Sequence, residues 1–240
     1  MARVFILGVG IDNLTLKEAA DKIDRIIEKG KPSLVVTANP EIIMRARDDE
    51  AFRECLADAQ MVTPDGIGII IAASLLGTPL KQRVTGIDLI AKLFEAAADK
   101  KYRFYFVGAK PGIAERAASN IINKYPGVEV VGIHHGYFQE DSQVIEDIER
   151  KKPHIVLAAL GMGKQERWIK DRVQKTGVPV SIGVGGSFDV FAGEAKRAPF
   201  WMRKAGLEWM YRLMLQPSRF GRMLQLPKFL FAVLVSKVSR

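Results

Sequence analysis

Short β-branched and aromatic runs alternate with longer amphipathic stretches through residues 1–195. That succession is expected of βα units laid around a parallel sheet. Strands are predicted at 4–9, 34–38, 61–64, 103–107, 129–134, 155–159 and 180–184. Several of these runs are apolar throughout, as strands buried on both faces are. Helices are predicted between them. Thr15 precedes Leu16, Ala19, Ala20, Ile23, Ile26 and Ile27, an apolar series spaced for one helical face. Gly86-Ile87-Asp88 opens a second helix running through Ala97, and Pro111 starts a third that ends before Pro126. Residues 139–151 and 164–175 form charged amphipathic helices of the same kind. The predicted fold class is α/β: a Rossmann-like parallel sheet flanked by helices, in one core domain over residues 1–195.

At Pro199 the pattern changes. Strand signals stop, and helical stretches carry Trp201, Trp209, Tyr211, Phe220 and Phe229 among arginines. Proline interrupts a helix interior, so Pro217 and Pro227 are expected to cut this tail into three pieces. Residues 196–240 are therefore read as a small helical appendage. Charge supports the division. The formal net charge of the 240-residue chain is +9. Residues 1–195 hold as many acids as bases, whereas residues 196–240 hold ten Lys and Arg against the single acid Glu208. A nucleic-acid binder would spread its basic residues over a face of the fold, so no nucleic-acid partner is expected. The longest uninterrupted apolar run near the C-terminus, 229–235, is far short of the about 20 residues that cross a bilayer. The opening run 4–9 is too short for a signal core, and one cysteine, Cys55, allows no internal disulfide. A cytoplasmic protein is expected, held at the inner membrane face by its tail. Tail aromatics suit the headgroup level, and each Lys or Arg near an anionic leaflet contributes about 1 kcal/mol.

Ligands of open parallel sheets bind beyond the carboxyl ends of the strands, and here those ends are polar or glycine-rich. They read Thr37-Ala38-Asn39-Pro40-Glu41, Thr63-Pro64-Asp65-Gly66, Gly108-Ala109-Lys110-Pro111-Gly112, Gly161-Met162-Gly163-Lys164-Gln165-Glu166 and Gly183-Val184-Gly185-Gly186-Ser187-Phe188-Asp189. The loop from Gly108 opens a helix, where free N–H groups and the helix dipole favour an anion. Asp65 is a candidate general base, because desolvation beside an apolar run raises a carboxyl towards the useful range; an N-cap role for the next helix fits equally well. Thr37 and Asn39 suit a polyol, and Arg83 suits a phosphate or is an ordinary surface charge. Tyr137 is either a face on which a base stacks or a core aromatic. Asp189 is either a ribose acceptor or an N-cap. Adjacent His134 and His135 point to opposite faces of a strand, which favours structural roles. No G-x-G-x-x-G follows a strand, and no P-loop, H-E-x-x-H, cysteine cluster, Asp-x-Asp or G-x-S-x-G occurs. Dinucleotide, P-loop kinase, metallohydrolase and serine hydrolase readings all lose support. An NAD(P)-dependent oxidoreductase remains the rival, on the turn 108–112 with Glu129 some 20 residues on.

Taken in order with Arg83-Val84-Thr85-Gly86, Arg197-Ala198-Pro199 and Gly206-Leu207-Glu208-Trp209, these segments resemble the WecG/TagA/CpsF glycosyltransferases from about residue 5 to about 225. The resemblance implies a metal-independent, inverting enzyme that needs no cofactor and associates with the membrane. It implies transfer of an N-acetylmannosamine-type sugar from a UDP donor to the 4-hydroxyl of N-acetylglucosamine on a polyprenyl diphosphate. A uronic-acid or glucose-type donor stays open. Asp65 would be the general base, with Thr37 and Asn39 positioning sugar, Gln165 touching donor sugar or phosphate, and Arg83 binding a phosphate. Gly108, Tyr137, Gly163, Gly185 and Asp189 would line the UDP side. Lacking a metal, such an enzyme meets the diphosphate with cations and helix N-termini, and Arg212, Arg219 and Arg222 are the supply in the tail. Leu75 and Leu76 fit either the core or a second subunit.

Overall fold

The computed structural model describes residues 2–211, 213–215, 221 and 224–238, together with the backbone at 212. It is an α/β fold. Six parallel strands form the main sheet: β3 (Ser33–Ala38), β4 (Met61–Pro64), β5 (Arg103–Gly108), β6 (Glu129–His134), β7 (Ile155–Ala159) and β8 (Val180–Gly183), in the order β4-β3-β8-β7-β5-β6. Because all run the same way, the ends of every strand share one edge. At the β5/β7 border the chain leaves in opposite directions, towards β6 from one strand and towards β8 from the other, which opens a crevice there.

Side chains of a strand alternate between faces, and the alternation divides the core in two. Leu34, Val36, Tyr105, Val107, Val156 and Ala158 enter one apolar layer, while Val35, Phe104, Phe106, Ile155, Leu157 and Ile182 enter the other. Helices α1 (Leu16–Lys29), α5 (Gly86–Lys100), α6 (Ile113–Lys124) and α9 (Ser187–Phe191) cover the second face. Helices α2 (Pro40–Asp48), α3 (Glu50–Ala57), α4 (Ile67–Leu75), α7 (Ser142–Lys151) and α8 (Lys164–Asp171) cover the first. The tail contributes α10 (Phe200–Lys204), α11 (Glu208–Leu215) and α12 (Gln225–Val238). Phe229 and Val233 of α12 are fully buried in the first layer against α2 and α4, while Phe231, Leu234, Val235 and Val238 face outward.

Four predicted boundaries are corrected. Residues 4–9 are not one strand. They form the hairpin of β1 (Arg3–Ile6) and β2 (Val9–Asp12), because Leu7 and Gly8 both take left-handed backbone (φ 47° and 86°), the geometry of a tight hairpin turn. The third helix starts at Ile113 rather than Pro111, since Gly112 ahead of it is left-handed. Residues 164–175 split into α8 and a 3₁₀ turn, Val173–Thr176. Residues 139–151 become helical only from Ser142. In the tail, Pro227 does not separate two pieces. It sits in the first turn of α12, where a missing N–H leaves no helical bond unmade. Pro217 lies outside the described residues.

Candidate functional site

A cleft of about 1630 Å³ runs along the edge where the parallel strands end, roofed on one side by the tail. Two kinds of structure build it. On the β3/β4 side, helix starts present side chains. Asn39 caps α2, its Oδ1 accepting from the Ile42 N–H at 2.9 Å, which leaves its amide NH₂ for a ligand. Asp65 follows β4 and does not cap the next helix. The N-cap of α4 is Gly66, which makes no side-chain bond. The Asp65 carboxylate instead accepts from the Gly86 N–H, the first amide of α5, at 3.1 Å. Thr37 packs on Gly86: a Cβ there would stand 3.1 Å from the Thr37 hydroxyl oxygen. Thr37 and Asp65 are thus gathered around one helix N-terminus. Thr85 caps that helix and donates to Asp88 at 2.6 Å, and Asp88 in turn accepts from Arg197 at 2.7 Å. Burial pushes the Asp88 carboxyl up, but the Arg197 and Thr85 bonds outweigh it and hold it below its ordinary range. Arg83 also lines the cleft and donates to the Arg203 carbonyl at 2.8 Å, tying the tail to this side.

On the β5/β7/β8 side, backbone dominates. Gly108 is left-handed (φ 124°), and any Cβ there would be driven into the Ala159 carbonyl. It lies behind the cleft wall; Ala109 and Lys110 line the cleft itself. Gly163 also stands back from the cleft, and its N–H is held by Glu166. Gly185 lines the cleft, but its N–H is taken by Gln165. Tyr137 is 67% exposed on the rim, so it is no core aromatic. Asp189 lies inside α9, whose N-cap is Gly186, so it is no N-cap, and it is among the residues that line the cleft. The two histidines are neighbours, with His134 Nδ1 2.8 Å from the His135 carbonyl oxygen. Among the described residues no three of His, Cys, Asp and Glu come together as metal ligands. Arg219 and Arg222 lie outside the described residues; so does the side chain of Arg212, whose backbone is in α11.

Sequence reasoning placed Glu41 at a strand end without a role and missed Arg45 and Asp48; all three line the cleft. Their spacing of four and three residues puts them on one face of α2. That face becomes legible only when Asn39, read from the sequence as a partner for a polyol, is recognised as a helix cap.

A family model described as glycosyl transferase WecG/TagA/CpsF matches residues 4–240. The chain belongs to that family. Three relatives carry the name N-acetylglucosaminyldiphosphoundecaprenol N-acetyl-beta-D-mannosaminyltransferase. One from Bacillus spizizenii is 38% identical over 87% of this chain and 81% of its own length. One from Bacillus subtilis is 37% identical over 95% and 90%, and one from Staphylococcus aureus 34% over 98% and 94%. The protein is a glycosyltransferase, and the family match spans the tail as well as the sheet. Among the described residues no helix is long and apolar enough to cross a membrane.

Proposed function

We propose that this glycosyltransferase moves N-acetylmannosamine from UDP to the 4-hydroxyl of N-acetylglucosamine on undecaprenyl diphosphate, with inversion and without a metal. The observation that carries the reading is the grouping of Asp65, Thr37, Asn39 and Arg83 on one wall of a cleft whose other wall is glycine-rich loop. The names of the three relatives supply the sugars. Asp65 takes the proton of the acceptor hydroxyl. The oxygen then attacks the anomeric carbon from the side away from the diphosphate, and UDP leaves with the bonding pair. Leaving-group charge falls to Arg83, Lys110 and the basic tail, including Arg212, Arg219 and Arg222, as fixed donors aimed at developing charge would provide. The tail also holds the enzyme on an anionic leaflet. The outward apolar residues of α12, with Phe200, Trp201 and Met214, form the inserting surface.

The test is transfer of radiolabelled sugar from UDP-N-acetylmannosamine to a short-chain lipid-linked N-acetylglucosamine, with and without excess chelator. Turnover unchanged by chelator is expected. Binding of NADH but not UDP, with no transfer, would overturn the reading in favour of an oxidoreductase.

A further inference from the structure

We propose that Glu166 is a positioning residue for the transfer: its buried carboxylate fixes the amide of Gln165 and so locks the 161–165 and 183–186 loops together at the cleft. The proposal rests on the transferase reading above. Glu166 is 1% exposed. One of its carboxylate oxygens accepts from the Gly163 N–H at 2.6 Å and the other from Gln165 Nε2 at 2.8 Å. Across the cleft wall, Gln165 Oε1 accepts from the Gly185 N–H at 3.1 Å. Both ends dictate the same orientation of the Gln165 amide. A carboxylate only accepts and a main-chain N–H only donates, so the NH₂ group meets Glu166 and the oxygen meets Gly185. Turned over, the amide would set oxygen against oxygen and hydrogen against hydrogen in a buried place, where unmade bonds cost most.

The lock has two consequences. The Gly163 and Gly185 amides are engaged inside the protein rather than by a phosphate. Gln165, which lines the cleft, keeps one Nε2–H as the only donor it can offer a ligand. Space enforces the arrangement as well. A Cβ on Gly163 would collide with the Arg45 guanidinium, and one on Gly183 with the Gln165 amide. Arg45 itself donates to the Met162 carbonyl at 3.1 Å, closing the loop from its far side. Burial pushes the Glu166 carboxyl up, opposed by the bonds from Gln165 and Gly163 and by Arg45. A group this costly to bury is a poor choice for stability alone.

The experiment compares the wild type with Glu166→Gln and with the exchanged pair Gln165→Glu/Glu166→Gln, reading kcat, donor KM and thermal midpoint. Glu166→Gln keeps the shape but has one acceptor oxygen where two are used. Its kcat is expected to fall about tenfold or more. The exchanged pair restores every bond of the lock, so its thermal midpoint should return towards wild type. It has no N–H for the ligand at position 165, so its transfer should stay low. Unchanged kcat and KM in Glu166→Gln would overturn the proposal. So would recovery of transfer together with the midpoint in the exchanged pair. Loss of the fold in both variants overturns it too, because Glu166 is then needed merely to form the loops. A wild type that transfers no sugar strikes the transferase reading instead.

Discussion

The two walls of the cleft solve the same problem in different ways. The β3/β4 wall is made of side chains held by helix starts: Asn39 capping α2, and Asp65 on the first amide of α5. The β5/β7/β8 wall is made of close-packed backbone, with Gly108 pressed on Ala159 and the Gly163 and Gly185 amides held by Glu166 and Gln165. One wall carries chemical groups and the other carries shape. Substitutions should therefore separate them. On the first wall, activity falls while the fold survives; on the second, a side chain added at a closely packed glycine damages the fold together with activity.

The sharpest separation is expected at Asp65. General-base groups contribute about 10²–10⁴-fold, so Asp65→Asn should lower transfer by at least about 100-fold while the UDP dissociation constant measured by calorimetry moves little. Comparable loss of UDP binding would show that the two walls do not work separately.

How far each wall was legible follows from the same contrast. Polar side chains stand out in a sequence by type and place: Asp65, Thr37 and Asn39 were picked out at strand ends and Arg83 after a helix and turn, and the structure brings all four to one cleft. The roles of Gly163 and Gly185 were legible only as glycine. The string Gly-Met-Gly-Lys-Gln-Glu does not reveal that both loop amides are already engaged, because that depends on a bond across 20 residues from Gln165 to Gly185. Strand positions in the parallel sheet were legible because apolar runs are long and turns frequent. The first strand was misread because its reversal is a backbone event at Leu7-Gly8, inside a run that is apolar throughout. Pro227 misled for a related reason: a proline that ends one helix and a proline that opens the next look alike without the flanking bonds.

Gly108 and Gly112 offer a test within the second wall alone. Both are left-handed, but a Cβ at Gly112 meets nothing within 4 Å, whereas one at Gly108 runs into the Ala159 carbonyl. Gly112→Ala should cost about 1–2 kcal/mol for the backbone conformation. Gly108→Ala adds a collision with main chain that cannot yield, and should cost about 3 kcal/mol or more. Urea midpoints at equal slope measure both. Equal losses would mean that β5 lies loosely enough against β7 to admit a side chain at position 108, and that close packing does not shape this wall.

Acid gives the smallest effect and one of opposite sign on the two walls. Asp88, paired with Arg197 below the Asp65 wall, has its carboxyl held below the ordinary range. Its contribution to stability is then complete above about pH 4 and is lost as pH falls through its folded value. Glu166, behind the other wall, has its carboxyl raised by burial. The loop bonds are made by the carboxylate, but burial outweighs them, so relative to the unfolded chain the charged form is the costly one; stability gained at this residue is largest at low pH and is lost as pH rises through its folded value. The stability that Asp88→Asn gives up relative to wild type should shrink between pH 6 and pH 3, whereas that given up by Glu166→Gln should grow. Denaturant midpoints for the three proteins across that range measure both trends. Parallel trends would mean that the two carboxyls see the same environment, and that the charged and the close-packed walls are not held by different forces.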